Sequence, residues 1–157
     1  MALTSPPFFD TSVLIPGILV LGPGGEPAQQ IFDAIAGGRI ARPGTAWHCC
    51  LEFYAVTTRL PEGRRITPAE SARLIEEELL GRFQVHGLPD RERTAFFRTA
   101  GGDQIAGGRV YDAHIAEIAR QSGATTVVTE NRRHFLTLMR HGIRVLTAAE
   151  FAAGIRR

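Results

Sequence analysis

Short apolar segments alternate along this chain with helices that have clear start and stop signals, and this alternation restricts the fold more than any other feature. The segments are too short for helices, and the β-branched run at 125–129 is typical of a buried parallel strand. Strands that are joined by helices need crossover connections, which make a sheet parallel and cover its faces with helices. The sequence therefore predicts a single domain over residues 1–157, a three-layer α/β/α sandwich with a central, mostly parallel sheet.

The individual elements are predicted from apolar periodicity and from capping residues. Thr67 and Glu70 form the clearest helix start, a capping box with proline at the first helical position, and Thr147 with Glu150 repeats the box. Thr45 is predicted to cap a helix that runs to about residue 60. The predicted strands are 7–10, 39–41, 83–85, 125–129 and 143–146, and the other predicted helices are 27–36, 67–80, 91–99, 110–121 and 132–140.

The composition excludes several classes of protein. The chain has 157 residues, of which 44% are hydrophobic, so it is neither disordered nor collagenous. All 18 basic residues are arginine against 16 acidic residues, and a net charge of +2 does not by itself indicate nucleic-acid binding. Cys49 and Cys50 are adjacent, which suits neither a disulfide framework nor a zinc site. The apolar run at 13–21 is too short to span a membrane and lacks a basic start, so we expect a cytoplasmic protein without membrane contact.

Three carboxylates lie where the pattern predicts burial. Asp10 follows an apolar strand, and the carboxyl ends of strands are where open α/β sheets bind ligands. Glu52 lies in a helix that is apolar nearly all round, and Asp112 shares the core-facing side of its helix with Ile115 and Ala116. A buried ionised carboxylate is unfavourable by on the order of several kcal/mol unless it is paired or binds a metal.

Each acid taken alone also has a purely structural explanation. Asp112 suits the positive end of a helix dipole, Asp10 suits an Asx-turn, and Glu52 suits pairing with a core arginine. Taken singly, the structural explanation is the simpler one for Asp10 and Asp112, and the two explanations are balanced for Glu52. Three acids that converge on one crevice would instead form an oxygen-only site, which suits Mg²⁺ or Mn²⁺ rather than zinc.

Four sequence blocks contain or follow these acids, in the order FDTSVLI (9–15), LEF (51–53), GRVYDAHIA (108–116) and VTENRRHF (128–135). Together they resemble the four motifs of PIN domains, and more narrowly those of the VapC-type toxins of bacterial toxin–antitoxin pairs. The last two blocks are the most specific, and the resemblance extends from residue 9 to about residue 146. It implies a parallel α/β/α sandwich and a Mg²⁺- or Mn²⁺-dependent ribonuclease. It further implies a homodimer and a cognate antitoxin that wraps the active-site face.

The resemblance also implies roles for individual residues. Asp10, Glu52 and Asp112 match the family's metal-binding acids, and Asn131 stands at its fourth catalytic position, which is often Asp. Many members carry Asn there, and the neutral amide should weaken a second metal site. Glu130 is adjacent and is expected to point elsewhere. The hydroxyls that match those steadying the first acid or lying behind the site are Thr11, Ser12 and Thr129, and the arginines expected to attract the RNA substrate are Arg109, Arg132 and Arg133.

Histidines near the motifs are expected to orient other groups or to pack rather than to act as general bases. This applies to His114 and His134, because a metal already supplies the nucleophile. His48-Cys49-Cys50 resembles a metal triplet, but consecutive helical positions point about 100° apart and cannot converge. Two alternatives to the ribonuclease remain open: a catalytically silent PIN-like module that binds RNA or protein, and another small phosphohydrolase or nucleotide-binding domain. The sequence has no phosphate-binding glycine motif, which counts against the phosphohydrolase or nucleotide-binding domain.

Overall fold

The computed structural model describes residues 5–156, and its centre is a five-stranded sheet in which every neighbouring pair of strands is parallel. The strands are β1 (Phe8–Phe9), β2 (Gly44–Ala46), β3 (Gln84–His86), β4 (Thr126–Val128) and β5 (Arg144–Leu146). Their spatial order is β3-β2-β1-β4-β5, so the chain builds outward from β1 first in one direction and then in the other. The carboxyl ends of β1 and β4 therefore form a topological switch point, where open α/β sheets carry their ligand sites.

Helices join the strands and flank the sheet. They are α1 (Thr11–Ile18), α2 (Glu26–Ala36), α3 (Trp47–Thr57), α4 (Pro68–Leu74), α5 (Arg93–Gly102), α6 (Arg109–Gln121) and α7 (Ala148–Ile155). Helix α2 packs against α1 and α7, whereas α3 packs against α4 and α5 against α6. The predicted α/β/α sandwich with a parallel sheet is confirmed. Residues 1–4 and 157 of the predicted domain lie outside the described part of the chain.

The apolar core begins directly behind the switch point. Phe8 and Phe9 are fully buried, and the ring of Phe9 contacts Phe151 of α7 edge-to-face with 5.4 Å between centroids. Phe83 contacts Phe9 in a similar edge-to-face geometry on another side. Because a close-packed core of this kind transmits strain rather than yielding, the residues that follow β1 are held in place.

Helix α1 was not predicted, because Pro16 and Gly17 interrupt its sequence. Pro16 is nevertheless accommodated inside the helix. Gly17 is required for packing against α2, since a Cβ atom there would lie 2.3 Å from the ring of Phe32. Residues 13–18 of the apolar run thus belong to a helix that packs on the core, whereas Val20 beyond its end is exposed. None of the helices among residues 5–156 has the length and apolar character needed to span a membrane.

Two predicted elements near β2 are wrong. The strand predicted at 39–41 is a turn after α2, and β2 begins only at Gly44, following Arg42 in a left-handed conformation (φ 55°). Thr45 does not cap a helix but lies within β2, in register with Val85, and its hydroxyl donates to the Phe9 carbonyl (2.8 Å). Helix α3 begins two residues later without a side-chain cap. Sheet pairing therefore outweighs a local capping preference at this point.

The helix predicted at 132–140 is also wrong. The chain forms two 3₁₀ segments instead, Arg132–His134 and Leu136–His141. Phe135 separates them with φ −117° and is fully buried, so placing its ring in the core interrupts the helical path. The capping boxes at Thr67 and Thr147 are confirmed, and α4 continues into a π-helical segment, Ile75–Leu80.

Candidate active site

Asp10 lies at the switch point, between the end of β1 and the start of α1, and caps that helix. Its carboxylate accepts hydrogen bonds from the backbone N–H of Ser12 (2.6 Å), the Ser12 hydroxyl (3.2 Å) and the Thr129 hydroxyl. The side chain is buried, with 4% of the residue exposed, and burial raises the pKa of Asp10 from 3.8 to about 6 against the effect of these donors. The nearby charge of Glu52 adds to the rise. The capping role and a place in the site therefore coexist in one side chain.

Glu52 reaches the same region from the middle of α3. Its Oε1 accepts a hydrogen bond from the hydroxyl of Thr11 (3.1 Å), the residue next to Asp10. Burial raises the pKa of Glu52, the bond from Thr11 opposes this, and the charge of Asp112 raises it further. Within the described residues its ion-pair partner is His48, at 3.7 Å, and no arginine lies within ion-pair distance. Pairing with a core arginine therefore does not explain Glu52.

Asp112 enters from the first turn of α6. Its Oδ2 lies 2.6 Å from Nδ1 of His134, in the 3₁₀ segment that follows β4. Both side chains are about three-quarters shielded from solvent. The contact ties α6 to the end of β4 and restricts the rotation of the Asp112 carboxylate.

The charges of the three acids influence one another, and we call these three side chains the acidic cluster. The Glu52 carboxylate raises the pKa of Asp10, and the Asp112 carboxylate raises that of Glu52. Among residues 5–156 no arginine pairs with any of the three. Within that range no three His, Cys, Asp or Glu side chains are arranged so that they could hold a metal ion, and the contacts of the acids are to hydroxyls, a backbone N–H and imidazoles. In charge and in donor atoms, the cluster fits a hard divalent cation such as Mg²⁺ or Mn²⁺.

Hydroxyls link the ends of β1 and β4 around Asp10. The Thr129 hydroxyl donates to Asp10 and accepts from the backbone N–H of Asn131 (3.0 Å), and the Ser12 hydroxyl accepts from the backbone N–H of Glu130 (2.9 Å). Asn131 thus joins the network through its backbone N–H, and the residue is exposed to solvent. The Glu130 carboxylate accepts from the first backbone N–H of α7 (2.8 Å), so this acid points away from the cluster as expected.

Comparison with known proteins assigns this chain to a family. A family model described as PIN domain matches residues 8–133, which is most of the chain. The chain belongs to the PIN-domain family. This PIN domain is 33% identical over 102 residues to Ribonuclease VapC27 of Mycobacterium tuberculosis (strain ATCC 25618 / H37Rv), and the match covers 65% of this chain and 72% of the relative. The predicted resemblance to VapC-type PIN domains is confirmed.

Solved structures share the fold at low sequence identity. FitAcB from Neisseria gonorrhoeae has a TM-score of 0.59 and 18% identity, covering 90% of this chain and 97% of its own. PAE2754 from Pyrobaculum aerophilum has a TM-score of 0.60 and 19% identity, covering 99% and 98%. A FitAB structure bound to an IR36 DNA fragment has a TM-score of 0.60 and 16% identity, covering 91% and 95%. At this identity the likeness is one of fold.

The three arginines that were expected to attract RNA differ in their surroundings. Arg109 is the first residue of α6, three positions before Asp112, and is exposed. Arg132 and Arg133 are exposed in the 3₁₀ segment that also carries His134. Arg132 pairs with Glu150 at the start of α7 (3.1 Å), so part of its charge is already balanced.

The sequence did not predict that two imidazoles would pair beside the acids. Nδ1 of His48 lies 2.8 Å from Nδ1 of His114, and burial lowers the pKa of both side chains. One ring must donate and the other accept, so at most one of the two carries a charge while this contact lasts. The spacing of His48 four residues before Glu52 on one helix was the signal that could have placed it here.

The adjacent cysteines take no part in this chemistry. Both are buried, and burial raises the pKa of Cys49 to about 12 and that of Cys50 to about 11. Because the thiolate is the reactive form of cysteine, these thiols are inert at neutral pH.

Proposed function

We propose that this PIN domain is a divalent-metal-dependent endoribonuclease that acts as the toxin of a toxin–antitoxin pair. The observation that supports the proposal is the charge coupling between Asp10, Glu52 and Asp112, none of which pairs with an arginine among residues 5–156. The similarity to a VapC ribonuclease supports RNA as the substrate.

In this proposal Asp10, Glu52 and Asp112 hold Mg²⁺ or Mn²⁺, and Asn131 occupies a fourth, neutral position. A divalent cation held by these residues would polarise the phosphodiester and would lower the pKa of the attacking water. The surrounding residues of the chain set the orientation of the acids. Ser12 and Thr129 fix the Asp10 carboxylate, Thr11 fixes Glu52 and His134 fixes Asp112, so little rotational freedom is left to lose when an ion binds.

The expected substrate and partners follow from the charge distribution and from the family. An acidic pocket repels RNA, so cationic groups beside it must bind the phosphates, and the exposed side chains of Arg109, Arg132 and Arg133 are proposed for this role. A cognate antitoxin protein, a homodimer and a cytoplasmic location complete the proposal.

The experiment that tests the proposal measures cleavage of single-stranded RNA by the purified chain with Mg²⁺, with Mn²⁺ and with EDTA. We expect metal-dependent cleavage that is lost in Asp10→Ala and in Asp112→Ala. Glu117→Gln is the matched control, because Glu117 lies on the same helix as Asp112 but pairs with Arg120 (2.6 Å) outside the cluster. Equal cleavage by the wild type and the two alanine variants would refute the mechanism. RNA binding without any cleavage would identify the silent module instead.

A further inference from the structure

A groove with a volume of about 550 Å³ lies beside the acidic cluster and is lined by residues of α3, α5 and α6. Aromatic and imidazole rings dominate its wall. We call it the aromatic groove, and its rings belong to Trp47, His48, Phe96, Phe97, Tyr111 and His114.

Most of these rings form an unbroken series. The ring centroids of Tyr111 and His48 are 5.6 Å apart, those of His48 and His114 are 5.0 Å apart, and those of His114 and Phe96 are 5.8 Å apart. Phe96 then contacts Phe97 at 5.3 Å. The groove is therefore one continuous surface, with nitrogen-bearing rings at one end and hydrocarbon rings at the other.

The nitrogen-bearing end of the groove opens on the acidic cluster. His48 is shared by both, since its Nε2 lies 3.7 Å from Oε1 of Glu52 while its ring packs beside Tyr111. Tyr111 is the residue next to Asp112 on α6. The contact between His48 and Glu52 is therefore where the groove adjoins the acids, and a nucleotide next to a phosphate at the acids would reach the groove there.

Three of the groove's large rings are open to solvent. Trp47 is 53% exposed, Tyr111 is 58% exposed and Phe97 is 67% exposed. Exposed aromatic rings beside cationic side chains are the usual surface on which unpaired nucleobases stack. Arg93 lines the groove and pairs with Asp90 (2.8 Å), and the exposed Arg109 begins the helix that carries Tyr111, so a cationic group for the sugar-phosphate backbone is available on that helix.

We propose that the aromatic groove binds an unpaired nucleobase of single-stranded RNA, adjacent to the phosphate held at the acidic cluster. This inference rests on the proposed ribonuclease function and specifies its substrate, because a base that is paired in a duplex cannot enter the groove. Tyr111 and Trp47 are the stacking residues at the acid end. The choice of RNA over a protein partner follows from the continuity of the groove with the cluster and from the arginines beside it.

The single tryptophan of the chain makes this proposal directly measurable, because its fluorescence reports on Trp47 alone. The full chain is titrated at low salt, with Ca²⁺ in place of Mg²⁺, with a single-stranded RNA hexamer of mixed sequence. The same titration is made with an abasic strand of equal charge and with a duplex of the same sequence. We expect saturable quenching by the hexamer and little quenching by the abasic strand or the duplex.

Variants of one ring separate stacking from charge. Tyr111→Ala should weaken hexamer binding about ten-fold, whereas Tyr111→Phe keeps the ring and should bind like the wild type. Tyr54→Ala is the control, because Tyr54 is an exposed aromatic residue of α3 that does not line the groove.

Three results would overturn the inference. The first is equal quenching by the abasic strand and the hexamer, and the second is unchanged hexamer affinity in Tyr111→Ala. The third is a change of Trp47 fluorescence when the protein concentration alone is raised, together with dimer formation measured by sedimentation. The last would assign the groove to a second copy of the chain. Metal-dependent cleavage with base-independent quenching would leave the ribonuclease standing without the groove. Base-dependent quenching without cleavage would support base binding in the groove but not the ribonuclease.

Discussion

Asp10 experiences opposing influences on its ionisation. Its three hydrogen-bond donors favour the carboxylate, whereas burial behind the Phe8–Phe9 strand favours the neutral acid and raises the pKa of Asp10 to about 6. Burial is the larger effect. An ionised Asp10 without a bound cation therefore destabilises the fold, and a cation at the cluster would remove this penalty.

The raised pKa of Asp10 predicts a pH dependence of stability. The unfolded chain releases this proton near pH 3.8, whereas the folded chain keeps it up to about pH 6. Stability from this group is thus fully present below about pH 4 and is lost as the pH rises through 6. In EDTA we expect the free energy of unfolding to fall across this window by on the order of 1–3 kcal/mol more in the wild type than in Asp10→Asn. Urea unfolding at several pH values measures this, and equal pH dependence in the two proteins would contradict the prediction.

His134 acts on the reaction only through Asp112 in this account. Replacing it with alanine frees the Asp112 carboxylate, and loss of such an orienting partner reduces metal affinity or activity about 10- to 100-fold. His134→Asn should recover part of the loss, since its amide nitrogen can stand in for Nδ1. The measurement is cleavage rate as a function of Mn²⁺ concentration, with His141→Ala as a control at an exposed histidine. If the Mn²⁺ dependence of His134→Ala matched that of the wild type, Asp112 would not need this contact.

The residues of the site differed in how far the sequence could predict them. The three acids were recognisable because a carboxylate in an apolar pattern needs an explanation. Their contacts were not, since the distance from His134 to Asp112 depends on where the chain after β4 lies relative to α6. The pairing of His48 with His114 likewise joins α3 to α6, and no local pattern reports it.

Among the elements, those with local signals were predicted and those set by packing were not. The capping boxes of α4 and α7 involve residues three positions apart, so their sequences suffice. Helix α1 persists despite Pro16 because Gly17 allows the ring of Phe32 to approach it. The region after β4 forms 3₁₀ turns because Phe135 is drawn into the core. Both outcomes depend on residues that are distant in sequence.

The capping box of α4 offers a test at this scale. The Thr67 hydroxyl accepts from the Glu70 backbone N–H (3.1 Å), and α4 is joined to α3 by the buried contact between Ser71 and Thr57 (2.8 Å). Thr67→Ala should lower the free energy of unfolding by about 1 kcal/mol, whereas Thr67→Ser should be nearly neutral. Denaturant unfolding measures both. RNA cleavage by the folded variants should be unchanged, and a selective loss of cleavage in Thr67→Ala would show that this cap also shapes the site.

The net charge of the whole molecule is the small difference between the number of arginines and the number of acidic residues, which lie at different places in the structure. The net charge of +2 combines 16 acidic residues with 18 arginines, and the acids of the site have no arginine partner within the described range. Arg109, three residues before Asp112, and Arg133, next to His134, are exposed. A summed charge could not reveal this arrangement, because the sum carries no positions.

This separation predicts the salt dependence of RNA binding. For single strands, each phosphate contact contributes about 0.7 to the slope of log affinity against log salt concentration. Arg109→Gln and Arg133→Gln should each reduce the slope by about that amount. Arg156→Gln is the control. Arg156 follows the last residue of α7, at the opposite end of this helix from the site, and contacts Gln30. Binding is measured with a labelled strand in EDTA. An equal loss in the Arg156 control would indicate a diffuse charge effect instead of phosphate contacts.

The measurement that tests the central claim most directly is a calorimetric titration of Mn²⁺ into the metal-free chain. The account predicts saturable binding in the wild type, strong weakening in Asp10→Asn, Glu52→Gln and Asp112→Asn, and unchanged binding in Glu117→Gln. Mn²⁺ binding that persists in all three acid variants, or no binding in the folded wild type, would contradict the claim that these carboxylates form one metal site.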